Sequence, residues 1–182
     1  MERIRNEAAS LQFIQEKTNI PVPQIFGAFE HDGAFWLITK YIEGVDLAEL
    51  PEKDKPVVLD ELKGYLATLQ NLRSRHVGGP TGIVVPPYRV TRATKQDSWN
   101  LRASREEEYV FCHNDCSQHN IIVDPESLEI KAIIDWEYAG FYPKFFEAKF
   151  YTRPGPSDAL EKYNETSDTS KLLEFLESSQ CT

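Results

Sequence analysis

The fold of this chain is decided by two short segments: residues 111–124 read FCHNDCSQHNIIVD, and residues 132–137 read AIIDWE. They contain two apolar runs, 121–123 and 130–134, that have the composition of short β-strands. Between the runs lies Asp-Pro-Glu-Ser, starting at Asp124, which is typical of a turn. The pattern therefore predicts a β-hairpin in this part of the chain.

Three oxygen-bearing side chains are expected at one end of that hairpin. Strand pairing would set Asn120 and Asp135 side by side, about one strand spacing or roughly 5 Å apart. Asp115 lies five residues before Asn120, close enough for a curled loop to bring its carboxylate to the same place. Amide and carboxylate oxygens suit Mg2+, which also takes phosphate oxygens, and a further carboxylate can accept a hydroxyl proton. This combination predicts phosphoryl transfer.

The same residues resemble a known family. The order His-x-Asp-x-x-x-x-Asn, from His113 to Asn120, precedes an apolar strand and then Ile-Asp-Trp at 134–136. This order is similar to the core of the aminoglycoside phosphotransferase family, the small-molecule branch of the protein-kinase-like fold, and most similar to its fungal members. At lower specificity the resemblance runs from Glu7 to about Pro156.

The resemblance implies a fold and its division. We expect an α+β, protein-kinase-like two-lobe fold with an incomplete N-terminal lobe. Residues 1–44 would be the remnant of the small lobe, with its helix and hinge. Residues 45–182 would form a mainly helical large lobe that carries the catalytic loop.

Roles for the central residues also follow from the resemblance. Asp115 resembles the catalytic Asp, and Asn120 and Asp135 resemble the two metal ligands. His113 resembles the structural histidine of the catalytic loop rather than a base. The implied reaction needs ATP and Mg2+, and its acceptor is a hydroxyl group of a small molecule.

Six residues are implied in nucleotide binding: Glu7, Thr39, Lys40, Ile42, Ile122 and Ile134. The stretch 39–44, TKYIEG, resembles the hinge, where the carbonyl of Lys40 and the N–H of Ile42 would bond adenine. Ile122 and Ile134 would line the floor of the adenine pocket.

This sequence departs from the family pattern in the part that would contact the nucleotide phosphates. Glu7 resembles the helix Glu that holds a lysine on the α and β phosphates, and in the family that lysine and a phosphate-covering hairpin come before the Glu. Only six residues precede Glu7 here, none is Lys, and Gly-x-Gly-x-x-Gly does not occur in the sequence. Arg3 and Arg5 are basic but differ from Lys at such sites. We therefore keep two hypotheses: a phosphotransferase whose activity is impaired, and a non-catalytic relative that binds a nucleotide or a partner.

Composition excludes several other classes. The 182 residues carry 20 Lys and Arg against 29 Asp and Glu, a net charge of −9, which does not favour nucleic-acid or anionic-membrane binding. Apolar runs are too short for a bilayer span, and the N-terminal sequence does not resemble a secretory signal. Three cysteines do not form a disulfide framework. A cytoplasmic location is expected, while acceptor and oligomeric state stay open.

Two other candidate sites have plainer interpretations. A zinc site would use Cys112, His113, Cys116 and His119, but adjacent ligands and the lack of Cys-x-x-Cys disfavour it. The aromatic residues of 136–146 are expected to form core rather than a base-stacking platform, given the acidic net charge.

The N-terminal part predicts a helix and a hairpin. Apolar spacing favours a helix over 6–17, with Asn6 as its N-cap. Strands over 24–30 and 34–42 flank His-Asp-Gly, a good hairpin signal at Asp32.

The middle of the chain predicts a second helix and a long loop. A leucine stripe favours a helix over 57–75, its members being Leu59, Leu62, Leu66, Leu69 and Leu72. Residues 77–104 are expected to be a loop, and the basic side chains in and after it are Arg89, Arg92, Lys95, Arg102 and Arg105. They are more typical of a solvated loop than of a site for an anionic substrate group.

Overall fold

The computed structural model describes residues 2–94, 96, 99–157 and 159–180. Within them the α-helices are α1 Glu2–Lys17, α2 Lys55–Asn71, α3 Tyr88–Thr94 and α4 Thr169–Ser178. The strands are β1 Ile25–His31, β2 Ala34–Thr39, β3 Val45–Asp46, β4 Arg73–Ser74, β5 Tyr109–Cys112, β6 Ile121–Val123, β7 Ile130–Ile133 and β8 Gly140–Tyr142. This is the expected α+β class. No helix in these ranges has the length and apolar character needed to cross a bilayer.

The first hairpin forms as predicted. β1 and β2 pair antiparallel, closing with His31 opposite Ala34. Asp32 and Gly33 have φ of 50° and 72°, and two left-handed residues in a two-residue loop match the right-handed twist of the strands. β2 ends at Thr39 rather than at residue 42, because the chain leaves the sheet there for the hinge-like segment.

Helix α1 begins earlier than predicted, and the N-cap assignment of Asn6 is wrong. The helix starts at Glu2, so Asn6 lies inside it and is fully buried. Its Nδ2 donates to the carbonyls of Glu137 (3.0 Å) and Ala139 (2.8 Å). Asn6 is therefore an anchor between α1 and the chain that follows β7, and propensity alone does not reveal such a tertiary role.

The leucine stripe of α2 lies against the core, as predicted: Leu62, Leu66 and Leu69 are buried. The loop prediction for 77–104 is wrong over Tyr88–Thr94, where α3 forms directly after two prolines. A single fully buried residue, Val90, holds this short helix to the core. One buried position gives no periodicity to detect.

Two three-stranded sheets lie beside the residues predicted to form the site, Asp115, Asn120 and Asp135. One has the order β3-β6-β7 and the other β4-β5-β8. β5 leads into the 113–120 loop, and β6 and β7 form the predicted hairpin beside it. Trp136, Tyr142 and Phe146 are fully buried, so the aromatic segment contributes core, as expected.

Candidate functional site

The β6–β7 hairpin places Asn120 and Asp135 at one end. Ile121 lies opposite Ile133, and the N–H of Ile134 donates to the carbonyl of Asn120 at 3.0 Å. Asp135 follows directly. Sequence spacing predicted this adjacency, because a short antiparallel pair has little freedom of register once both strands bury one face.

The Asn120 side chain connects this end to the 113–120 loop. Its Nδ2 donates to the carbonyl of Asp115 at 2.8 Å, so the amide oxygen is the atom of this side chain that could bind a cation. The negative charge of Asp115 raises the pKa of Asp135, so the two carboxylates share one electrostatic environment. The loop thus curls back as expected.

Asp135 has an unusual backbone and a perturbed carboxyl. Its φ is 63°, a left-handed conformation that Asp tolerates better than most residues and that often marks a functional site. Burial, followed by the charges of Glu137 and Asp115, raises the pKa of Asp135 to about 6, while Arg3 opposes the rise. A divalent cation would relieve this repulsion.

Helix α1 adds Glu7 to the cluster. Burial, followed by the charges of Asp135 and Glu137, raises the pKa of Glu7 to about 7, and a backbone hydrogen bond with Trp136 opposes the rise. Arg3, one turn earlier, donates to Glu137 at 3.0 Å and to the hydroxyl of Tyr138 at 2.8 Å. Acidic side chains from three segments are therefore close enough to influence one another's charge, and Arg3 bonds one of them.

His113 ties the loop to the hairpin. Its Nδ1 accepts the N–H of Asp115 at 3.3 Å, so Nε2 carries the proton and donates to the carbonyl of Ile134 at 2.9 Å. Complete burial lowers the pKa of His113 to about 4, which leaves the ring neutral at pH 7. A neutral ring with a hydrogen bond at each nitrogen holds the loop in place and is a poor base.

The residues considered for zinc have other surroundings. Cys112 and Cys116 are free and buried, and burial raises the pKa of both thiols. Nε2 of His113 is hydrogen-bonded to the carbonyl of Ile134, and Nδ1 of His119 lies 3.3 Å from Oδ2 of Asp46. Across the described ranges, no group of three or more His, Cys, Asp or Glu side chains is placed to hold a metal ion.

The hinge-like segment presents unused backbone groups. Thr39 pairs with Ile25 at the end of β2, and the N–H of Lys40 donates to the carbonyl of Gln24 at 2.8 Å. Within the described chain, the carbonyl of Lys40 and the N–H of Ile42 make no backbone hydrogen bond. One acceptor and one donor are thus free for a ligand.

Gly44 brings this segment against the second hairpin. A Cβ at Gly44 would lie 2.7 Å from Cγ2 of Ile122, so only glycine permits the approach. By register Ile122 and Ile134 lie on the same face as Ala132, and both isoleucines are partly exposed, whereas Ile121 is buried. An apolar surface therefore lies beside the free hinge groups.

Arg89 does not belong to a solvated loop, and that expectation is wrong for this residue. Its guanidinium forms a bidentate pair with Asp168 at 2.6 and 2.9 Å. It also donates to the carbonyls of Asn114 (3.3 Å) and Phe146 (3.2 Å). Of the other basic residues predicted in this region, Lys95 lies outside the described residues.

Glu147 was missed from the sequence. Its Oε2 accepts the N–H groups of His113 at 2.5 Å and Asn114 at 3.5 Å. The sequence does contain a hint: Glu147 is an acidic residue within the aromatic stretch 145–150, FFEAKF. Such a stretch is expected to be buried, so a carboxylate there needs partners.

With this geometry in place, comparison with known proteins identifies the family. The model of the phosphotransferase enzyme family matches residues 1–148. The chain belongs to this family. The phosphotransferase family match spans both hairpins, α1 and the 113–120 loop.

A curated relative in the phosphotransferase family is an aminoglycoside 3'-phosphotransferase from Streptomyces ribosidificus. It is 26% identical over 137 residues, covering 64% of this chain and 52% of the relative. The chain thus spans about half the length of the curated relative that it matches.

Solved structures show the same fold. An aminoglycoside-3'-phosphotransferase of type VIII superposes with a TM-score of 0.60 at 18% identity, covering 94% of this chain and 71% of the other. An aminoglycoside phosphotransferase from Streptomyces rimosus, solved with ADP and streptomycin, has a TM-score of 0.55 at 15% identity, covering 97% of this chain and 74% of the other. The kinase-like fold predicted from the motif is confirmed.

Proposed function

We propose that this chain transfers the γ-phosphoryl group of ATP to a hydroxyl group of a small molecule. The observation that carries the proposal is the convergence of Asp115, Asn120 and Asp135 at the end of the β6–β7 hairpin. Phosphoryl transfer needs little covalent chemistry from the protein and depends on positioning and charge. These three side chains can supply both.

The nucleotide would bind between the hinge-like segment and the β6–β7 hairpin. The free carbonyl of Lys40 and N–H of Ile42 match the donor and acceptor edge of adenine, and Ile122 and Ile134 offer an apolar surface for the ring. Support comes from the Streptomyces rimosus structure, which is a complex with ADP. We assign Thr39 to the same site, at the start of the segment.

Mg2+ would be held by Asn120 and Asp135. Their oxygens are hard ligands, and the carboxylates of Asp115, Glu137 and Glu7 leave an excess of negative charge that fits a cation. When bound, the ion neutralises charge on the phosphates. We assign Glu7 to the outer part of this site, where Arg3 is the neighbouring positive group.

The chain's own residues position the acceptor. Asp115 would orient the acceptor hydroxyl and take its proton as the hydroxyl attacks. Asn120 holds the carbonyl of Asp115, and His113 holds its N–H, so the carboxylate starts from a fixed backbone. This preorganisation saves orientation entropy at the reacting centre.

ADP release in the presence of Mg2+ and ATP tests the proposal. The acceptor panel consists of amino alcohols, sugars and aminoglycosides, the last because the relatives named above are aminoglycoside phosphotransferases. We expect acceptor-dependent ADP release, reduced by about 10²–10⁴-fold in Asp115→Asn.

The matched control is Asp60→Asn, which changes an exposed carboxylate on α2 and is expected to leave turnover unchanged. Acceptor-dependent release that persists in Asp115→Asn contradicts the role of Asp115. ATP binding without turnover for any acceptor would favour the second hypothesis, a non-catalytic nucleotide-binding member of the family.

A further inference from the structure

A buried lysine connects α2 to the turn that carries Asn120. Lys55 is the first residue of α2, and only 4% of its side chain is exposed. Its Nζ donates to Oε1 of Gln118 at 3.2 Å, and Gln118 is also buried. Gln118 begins the short 3₁₀ turn Gln118–Asn120. The lysine therefore contacts a residue two positions before Asn120, one of the two proposed Mg2+ ligands.

The side-chain amide of Gln118 is held at both ends. Its Oε1 accepts from Lys55, and its Nε2 donates to the carbonyl of Tyr151 at 3.0 Å. Because an ammonium only donates and a carbonyl only accepts, these partners fix the orientation of the amide. The turn is closed by the N–H of Asn120, which donates to the carbonyl of Ser117 at 3.1 Å. A change at Lys55 should therefore reach the backbone of Asn120 through one side chain.

The same ammonium contacts the segment that follows the hinge-like stretch. Its Nζ donates to the carbonyl of Ala48 at 3.4 Å, within the 3₁₀ turn Leu47–Glu49 that comes directly after β3. β3 pairs with β6 and sets Asp46 opposite Ile122, a residue of the proposed adenine surface. Lys55 thus links the chain that leaves the hinge-like stretch to the turn that leads into β6.

Lysine is a poor choice at this position for stability alone. The N-terminus of a helix carries partial positive charge, which disfavours a cation in the first turn. Burial removes the ammonium from water, and its carboxylate partner Glu52, at 2.7 Å, is exposed, so solvent weakens the ion pair. Apolar side chains at 55 and 118 would pack without these costs. They could not supply the directional bond that orients Gln118.

We infer that Lys55 is a positioning residue for the proposed metal site: its ammonium holds Gln118 and so fixes the turn that carries Asn120. The inference deepens the proposed function and rests on it, because it assumes that Asn120 binds the cation. Its structural part, the hold on the turn, is measurable without metal or turnover.

The test measures the Kd of Mn2+ in the presence of ADP, from the relaxation of water protons. Lys55→Met has a similar length but cannot donate to Gln118, and its Kd should rise by about tenfold or more, the usual effect of losing a group that orients a metal ligand. Lys55→Arg keeps a charged donor and should recover part of the affinity. The matched control, Lys53→Met, removes an exposed lysine two residues earlier and should leave the Kd unchanged.

Hydrogen exchange reports the hold on the turn. The amide of Asn120 should exchange at least about tenfold faster in Lys55→Met, because the turn opens more readily, whereas amides within α1 should not change. A lysine that only stabilised the fold would change global stability and leave the Mn2+ affinity of the folded molecule unaltered. Unchanged exchange at Asn120, or faster exchange with an unchanged Mn2+ Kd, overturns the inference.

The kinetics should show the same separation. In Lys55→Met, the Mg2+ concentration that gives half the maximal rate should rise by about tenfold, while kcat at saturating Mg2+ stays within about threefold. A fall in kcat with no change in the Mg2+ dependence overturns the inference, because it would place the effect of Lys55 outside the metal site.

Failure of the proposed function gives a different result. If the wild type does not bind Mn2+ with ADP, the proposed metal site is wrong, and the inference falls with it. If the wild type binds Mn2+ but does not transfer phosphate, the Kd comparison still decides the inference. If Lys55→Met does not fold, Gln118→Met removes the same bond from the other side and should raise the Mn2+ Kd by a similar factor. An unchanged Kd in that variant overturns the inference.

Discussion

The N–H of Ile134 donates to the carbonyl of Asn120 at 3.0 Å, and this bond is the last contact of the β6–β7 hairpin. The carbonyl of the same Ile134 accepts from His113 Nε2 at 2.9 Å. One residue therefore joins the 113–120 loop to the strand that delivers Asp135. These two contacts set Asp115, Asn120 and Asp135 close together, because they fix the loop and the hairpin to each other.

Gly79 and Gly64 form a matched pair for testing the anchor of α1. A Cβ at Gly79 would lie 1.8 Å from Oδ1 of Asn6, whereas one at Gly64, within α2, would meet nothing within 4 Å. Gly79→Ala should destabilise the fold by about 1–3 kcal/mol because Asn6 must move. Gly64→Ala should stabilise it by about 0.5–1 kcal/mol through helix propensity. Urea unfolding measures both, and equal effects would contradict the packing described for Asn6.

His113 predicts a dependence of stability on pH. The ordinary histidine pKa is 6.5, and burial lowers that of His113 to about 4, so between these values the unfolded chain binds the extra proton. Above pH 6.5 this difference in pKa does not reduce the free energy of unfolding. As the pH falls from 6.5 towards 4, it lowers the free energy of unfolding by about 3 kcal/mol. Relative to His113→Gln, the wild type should lose this free energy of unfolding on acidification. Parallel curves of unfolding free energy against pH for the wild type and His113→Gln would contradict this prediction. The control is His76→Gln, which removes an exposed histidine.

We expect Arg89 to stabilise the fold through the bidentate geometry of its guanidinium rather than through its positive charge alone. Its side chain is 13% exposed, and its bidentate pair with Asp168 links α3 to the start of α4. Arg89→Lys keeps the charge but cannot reproduce the fork, so we expect a loss of about 2 kcal/mol and faster hydrogen exchange in α4. Arg92→Lys, at an exposed position on the same helix, should be neutral. Equal stability of the two variants would show that the fork contributes nothing.

Local patterns predicted the parts of the fold that local physics determines. The Asp32-Gly33 turn, the β6–β7 hairpin and the buried stripe of α2 each depend on residues near one another in sequence. The placement of Asn120 beside Asp135 followed from strand pairing alone. The family resemblance added the hinge-like segment, which no periodicity indicates.

Contacts between distant segments could not be predicted in the same way. Asn6 satisfies the usual N-cap preference, yet its partners are Glu137 and Ala139, more than a hundred residues away in the sequence. Arg89 and Glu147 act on the backbone of Asn114 from separate elements. Such side chains look like ordinary surface charges until the fold is known, because their role lies in the backbone groups that they meet.

The proposed function requires Asn120 and Asp135 to hold a divalent cation together, beside the nucleotide. The direct measurement uses Mn2+ as a paramagnetic substitute for Mg2+ and records NMR line broadening in the presence of ADP. We expect broadening centred on the side-chain amide of Asn120 and the backbone amide of Asp135. It should be abolished in Asp135→Ala and retained in the Asp60→Asn control. Broadening centred elsewhere, or equally strong in Asp135→Ala, would contradict it.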